Sequence, residues 1–200
     1  MPTTAHDLES LKNRRIGFAM TGSFCTFSQI FPQIERLAAA GAQLQPILSS
    51  NAYHLDTRFL TADKVRSTLS AICGREIWHT LQEVEPIGPK KLLDLLIVAP
   101  CTGNTLGKLA AGIIDTPVTM AVKSQLRNSR PVLIAVSTND GLGASARSIG
   151  SLMTARDIYF VPYEQDDPSG KPASLVARMD LSPESAVCAL SGKQLPHLHR

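Results

Sequence analysis

The feature that most constrains this chain is the run Leu92-Leu93-Asp94-Leu95-Leu96-Ile97-Val98-Ala99, apolar at every position but Asp94. A run of strand length with no polar face belongs in a sheet covered on both sides, the usual condition of parallel strands. Pro100 closes it, because proline has no N–H to give a ladder. The small polar turn Cys101-Thr102-Gly103-Asn104-Thr105 leads into a helical pattern of Leu106, Leu109 and Ala110. Gly112 then supplies the tolerance of positive φ that a helix end favours. Such a turn places backbone N–H groups and short side chains at the carboxyl edge of a sheet, where open α/β folds bind ligands.

The alternation extends in both directions. Arg15–Thr21 reads as a strand, followed by Gly22, Ser23 and a helix carrying Phe24, Phe27, Ile30, Phe31, Ile34 and Leu37 toward Gly41. Ser23 suits its N-cap, and Pro32 predicts a kink or two helical pieces. Gln43–Ser49 is a second strand, placed near an edge or a bulge by Pro46. Thr61 caps a helix over Ala62–Cys73 that Gly74 ends, and Ile77–Thr80 is a short strand-like piece. Thr116 and Pro117 fit N-cap and N1 of a further helix, with Lys123 and Arg127 toward its C-terminal end. Pro131–Ser137 is another buried strand. It runs through the loop Thr138–Gly143 into a helix over Ala144–Ala155, and Ile158–Val161 is a last strand. Tyr163–Pro172 is turn-rich and acidic, a surface loop or flap. Ser182-Pro183-Glu184 opens a final helix. Strands alternating with helices over 200 residues predict one three-layer α/β/α domain with a mostly parallel sheet, with residues 1–13 and 194–200 as flexible ends.

Composition removes several function classes. The chain is 44% hydrophobic and 18% charged, a globular balance. Its net charge of +3 comes without a basic run or aromatic-interleaved basic face, which argues against nucleic acid as a partner. The polar N-terminus lacks an apolar signal core, and no run is long enough to span a bilayer, so a soluble cytoplasmic protein is expected. Cys25, Cys73, Cys101 and Cys188 are widely spaced, which fits reduced thiols better than zinc or disulfides. Asp166 and Asp167 read as solvated turn residues, not metal ligands.

The turns Thr21–Ser23, Pro100–Thr105 and Ser137–Gly143 all follow apolar strands, so a parallel sheet would gather them into one cleft. Their Ser, Thr, Asn and Gly residues can hydrogen-bond a ligand but include no strong nucleophile or base. With a single glycine, Thr21–Ser23 is no dinucleotide fingerprint. It is either a phosphate-holding turn or a plain capped turn. Cys25 and Cys101 lie where amide dipoles can lower a thiol pKa, although packing is the commoner role of a small buried cysteine. His79, beside Trp78, reads as a packed or surface histidine. No residue is assigned a catalytic role.

Ala99-Pro100-Cys101-Thr102-Gly103-Asn104-Thr105, with Lys108-Leu109-Ala110 and Gly112-Ile113-Ile114-Asp115, resembles the Pro-Ala-Ser-Ala-Asn-Thr motif of the homo-oligomeric flavin-containing Cys decarboxylases. Within that superfamily, these residues, Asp115–Asn128, Ser137–Gly143 and Tyr159–Met179 are similar to the dipicolinate synthase B subunits. The resemblance implies a Rossmann-like flavoprotein fold and a homo-oligomer. It also implies FMN held by Thr21, Gly22, Ser23, Ser49, Pro100, Thr102, Gly103, Asn104, Thr105 and Asn139, with its phosphate near the Thr21–Ser23 turn. Ser50 and Asn51 could join Ser49 at a ribityl chain, or serve only as turn and cap. Asn139 matches the asparagine of a Pro-Ala-Met-Asn substrate loop, but Val136, Ser137 and Thr138 replace the residues before it.

The function implied is an oxidoreductase subunit. With a dipicolinate synthase A subunit that carries NAD(P), it would oxidise dihydrodipicolinate to dipicolinate during sporulation. Lys123, Arg127 and Arg147 are available cations for such a small dicarboxylate. Two alternatives remain: a self-sufficient FMN-dependent decarboxylase with His79 as its base, or a non-catalytic flavin-binding protein. The helix after Asn104 and the segment Pro117–Leu126 are candidate surfaces for self-association.

Overall fold

In the computed structural model, which describes residues 8–196, the apolar runs become strands of one seven-stranded sheet. Five of them are mutually parallel: β1 (Arg15–Met20), β2 (Gln43–Leu48), β3 (Leu95–Cys101), β4 (Val132–Thr138) and β5 (Ile158–Phe160). Two short strands, β6 (Tyr163–Glu164) and β7 (Leu175–Ala177), form an antiparallel pair, and β7 runs antiparallel to the tip of β4. The path across the sheet is β2-β1-β3-β4-β7-β6, with β5 beside the lower part of β4.

The helices are α1 (Phe27–Ala39), α2 (Ser50–His54), α3 (Ala62–Cys73), α4 (Leu81–Val84), α5 (Gly103–Ala110), α6 (Pro117–Leu126), α7 (Ala144–Met153) and α8 (Ser182–Leu190). Helices α1 and α8 pack on each other and on the central strands, and α6 covers β2, β3 and β4 with α5 beside it. Right-handed crossovers put these two groups on opposite faces, because β1 leads to β2 in one direction and β3 leads to β4 in the other. Every residue of β3 is consequently buried, as the apolar run requires. At roughly 1.5–3 kcal/mol for each large aliphatic side chain removed from water, this central strand dominates the core.

The capping signals act as read. Thr61 accepts from the backbone N–H of Lys64, and Thr116 with Thr119 forms a reciprocal capping box ahead of Pro117. Gly74 and Gly112 take positive φ at their helix ends. Pro46 lies in edge strand β2, and its missing N–H would point outward. On that outer side Trp78 N–H donates to Pro46 O at 3.0 Å, and Leu48 N–H donates to Trp78 O at 2.8 Å. The strand-like piece at Ile77–Thr80 is thus a single bridge between Ile47 and Trp78.

Several expectations are corrected. The central strand starts at Leu95, leaving Asp94 outside it, and it runs through Pro100 to Cys101. Proline is tolerated there because the register against β4 shifts between Val98 and Cys101, a bulge where no ladder donor is needed. Pro32 does not divide α1, which is continuous. The irregular piece is a 3₁₀ turn at Phe24–Thr26 before it, and Ser23 makes no side-chain cap there. Within Pro117–Leu126, Val118, Ala121 and Val122 are buried inside the chain, and Met120 and Leu126 are half-buried. At the ends expected to be flexible, Leu11 is fully buried and Gln194 exchanges hydrogen bonds with the backbone of Phe160. Residues 1–7 and 197–200 lie outside the described residues. Among the described residues no helix is long and apolar enough to cross a membrane.

Candidate functional site

The two directions of winding diverge between β1 and β3, and such a switch point opens a crevice at the carboxyl ends of the strands. Thr21 closes its floor. Its hydroxyl donates to Pro100 O at 2.8 Å and accepts from Thr102 N–H at 3.0 Å, tying the two turns together. Thr102 caps α5 by accepting from Thr105 N–H, so its hydroxyl looks into the first turn, whose amides have no acceptor within the helix. Across the crevice the hydroxyls of Ser23 and Ser137 meet at 2.7 Å, which is what Ser23 does in place of capping a helix.

Beyond Ser137, Asp140 organises the far wall. One of its carboxylate oxygens accepts from Thr138 Oγ1 at 2.5 Å and from Ser145 Oγ at 2.6 Å. The Ser145 hydroxyl, with Thr138 next, holds this carboxyl below the usual range, so it stays an anion. Gly103 packs against this group. A Cβ at that position would stand 2.5 Å from Thr138 Oγ1, 2.7 Å from Ser145 Oγ and 3.0 Å from Asp140 Oδ1. Only glycine leaves room for the Asp140 cluster against the start of α5.

The last wall comes from the segment between β6 and β7. Ser137 pairs with Val176 and Thr138 with Leu175, and Leu142 N–H donates to Ala173 O at 2.9 Å, so the strap is pinned beside the cleft. It contributes Asp166, Lys171 and Ser174, and β7 adds Val176. Lys171 Nζ donates to Asp166 Oδ2 at 3.3 Å. Burial raises the Asp166 carboxyl, but hydrogen bonds from Ser174 and Lys171 and the lysine charge outweigh it and bring the net shift downward.

The resulting cleft holds about 820 Å³. Of the residues expected to bind a cofactor, Gly22, Ser23, Thr102, Gly103, Asn104 and Asn139 line it. Thr21, Pro100 and Thr105 are buried behind them and act as supports. Ser49 is elsewhere, capping α2 by accepting from Ala52 N–H. Cys25 is exposed at the mouth, whereas burial pushes the Cys101 thiol well up and leaves it a packing residue. His79 lies outside the lining, stacked on Tyr53 with ring centroids 3.7 Å apart and paired with Glu83 at 3.5 Å. Lys123, Arg127 and Arg147 do not reach the cleft, and among the described residues Lys171 is the one cation lining it. An apolar recess of about 380 Å³ adjoins the mouth, walled by Phe24, Phe31, Phe59 and Leu60. Sequence reading misses Asp140 and Ser145, although both sit in or beside a loop it singles out. It misses Lys171 and Ser174 because nothing local announces that β7 folds back on β4.

Known proteins resemble this chain along nearly its whole length. Residues 4–149 match the model of the family described as Flavoprotein. The dipicolinate synthase B subunit of Bacillus subtilis is 43% identical over 188 residues, 94% of each chain. The crystal structure of the dipicolinate synthase B subunit from Bacillus halodurans superposes with a TM-score of 0.87 at 39% identity, covering 94% of this chain and 96% of that one. The FMN-dependent cysteine decarboxylase SpaF, at 17% identity and a TM-score of 0.66 over 90% of this chain and 99% of its own, shares the fold.

Proposed function

The chain belongs to the Flavoprotein family, and from that premise we propose that it is the B subunit of a dipicolinate synthase. It acts in the cytoplasm with a separate A subunit in the NAD(P)-linked oxidation of dihydrodipicolinate to dipicolinate during sporulation. The observation that carries this reading is the 43% identity to a dipicolinate synthase B subunit, sustained over 94% of both chains. The cleft supports it in kind. Its lining is rich in hydroxyl and amide groups, and its carboxylates are engaged, Asp140 with two hydroxyls and Asp166 with Lys171. Such a site orients a ligand and leaves hydride chemistry to a nicotinamide or flavin.

The residues present fit a flavin nucleotide. The cleft volume lies within the range of cofactor sites. At Gly22 a Cβ would come no nearer than 3.5 Å to any neighbour, and Ser23, Thr102 and the first amides of α5 offer donors around it. Asp140 makes the Gly103 side of the cleft negative, so Gly22 and Ser23 would be the residues to hold the phosphate of a flavin nucleotide, and Phe24 and Phe59 would offer it apolar surface. FMN bound there would supply two-electron acceptance. This chain's own task is to grip the nucleotide, orient the dicarboxylate and exclude water.

Reconstitution tests the reading. The purified chain and its A subunit should together convert dihydrodipicolinate to dipicolinate with NAD(P) reduction, and neither alone should approach that rate. A rate from the A subunit that this chain does not change would refute the assignment. Release of carbon dioxide from a cysteine-terminated peptide by this chain alone would transfer it to the decarboxylases.

A further inference from the structure

We propose that Lys171 is the carboxylate anchor of the cleft, its ammonium leaving Asp166 to take one carboxylate of a small dicarboxylate ligand. The inference rests on the dipicolinate synthase reading, which makes the ligand a dicarboxylate, and adds where and how that ligand is held.

The charge layout leaves one cationic side chain for a carboxylate. Among the described residues the charged side chains lining the cleft are Asp140, Asp166 and Lys171. Asp140 is fixed by Thr138 and Ser145 hard against Gly103, and its charge repels a carboxylate from that end. Among the lining side chains a full positive charge exists only at the strap. The Ser23 and Ser137 hydroxyls, bonded to each other, are neutral and bring no charge to compete with it.

The strap also has the mechanics of an anchor. Its backbone is held on both sides of the lysine: Lys171 N–H donates to Asp167 O at 2.7 Å, and Ser174 N–H donates to Lys171 O at 3.0 Å. Gln165 Nε2 donates to Pro172 O at 2.7 Å, and Gly170 N–H to Asp167 Oδ1 at 2.9 Å. The side chain is far less constrained. It is 54% exposed, and its one ion-pair contact, to Asp166, is 3.3 Å long. An exposed lysine–aspartate pair of that length is weak, so exchanging Asp166 for a ligand carboxylate costs little. A compact ammonium on a flexible four-carbon stem can make the exchange without moving the backbone. Asp166 then acts as a resting partner that keeps the cation aimed at the cleft.

The test is calorimetric titration of dipicolinate into the chain, alone and with the A subunit. Lys171→Gln should weaken binding about tenfold, the scale of one lost charge-assisted hydrogen bond, and should flatten its salt dependence. Lys171→Arg should stay within about threefold of the parent, because charge and reach are kept. Asp166→Asn should bind as tightly or more tightly, since it frees the ammonium without removing it. Thermal midpoints should hardly move for the Lys171 variants, whose side chain is exposed, and should fall only slightly for Asp166→Asn, which gives up the charge that Ser174 and Lys171 favour. Lys171→Gln binding within about twofold of the parent overturns the anchor and leaves the site reading intact, and equal loss in Asp166→Asn and Lys171→Gln overturns it in favour of a structural pair. Failure of the parent chain to bind dipicolinate in either format removes both the anchor and the reading beneath it.

Discussion

The same strands end in two very different ways. At their amino ends, β1, β3 and β4 are closed by an ion network. Asp94, just before β3, accepts from Arg15 N–H at 2.9 Å, from Arg15 Nη2 at 2.7 Å and from Arg130 Nη1 at 2.9 Å, and Arg130 also donates to Leu93 O. At their carboxyl ends the same strands deliver hydroxyls, amides and a glycine into an open cleft. The contrast teaches where stability and binding are separated in this molecule. Opposite charges that satisfy one another have nothing left for a ligand, and they fasten the sheet. Short hydroxyls with single partners contribute little to folding but can re-pair with a ligand.

That separation can be broken first at the amino ends. Asp94→Ala should cost about 2 kcal/mol in chemical denaturation, less than a fully buried pair because Arg15 is 43% exposed. Ligand affinity should be unchanged, and a parallel loss of affinity would show that the two ends are coupled. The same network sets an acid limit. Burial would raise the Asp94 carboxyl, but hydrogen bonds from Arg15, its charge and Arg130 bring it down to about 2. A carboxyl lower in the folded chain than its unfolded value of about 3.9 contributes fully above that pH. The contribution fades as pH falls to about 2. Unfolding followed across that window should therefore lose stability in the parent and much less in Asp94→Asn.

At the carboxyl ends, Gly103→Ala should destabilise by about 1–2 kcal/mol, because the new methyl group displaces hydroxyls that serve Asp140. It should also abolish saturable FMN binding in a fluorescence titration. Unaltered stability and affinity would mean that the Asp140 cluster moves freely. The smallest effects on folding belong to Ser23→Ala and Asn104→Ala, each expected within about 1 kcal/mol of the parent. Both should still weaken FMN binding several-fold, and wild-type affinity in both variants would remove the cleft assignment.

Much of this division is legible along the chain. Leu95–Ala99 and Val132–Val136 carry strands buried on both faces in their composition, since a strand with no polar face has nowhere else to go. The caps at Thr61 and Thr116 and the turns at Gly74 and Gly112 are local hydrogen-bond and φ requirements, so neighbouring residues suffice to read them. Pro100 departs from its local reading because its effect depends on a partner strand: a bulge against β4 relieves the need for its N–H. Ser23 departs for a similar reason. Its hydroxyl has a local option as a cap and takes a distant one at Ser137, 114 positions away.

The sequence by itself determined the layered α/β architecture, the order of its parallel strands' turns and the hydroxyl- and amide-rich chemistry at their carboxyl ends. These follow from hydrophobic period and local capping, which act over a few residues. Tertiary structure alone decided that β7 turns back on β4, bringing Lys171 and Asp166 to the cleft, and that Asp140 fills the space Gly103 leaves. It also decided that His79 stacks on Tyr53 away from the site. Those placements depend on which backbone edges remain unpaired once the sheet has formed, and no short-range pattern carries that information.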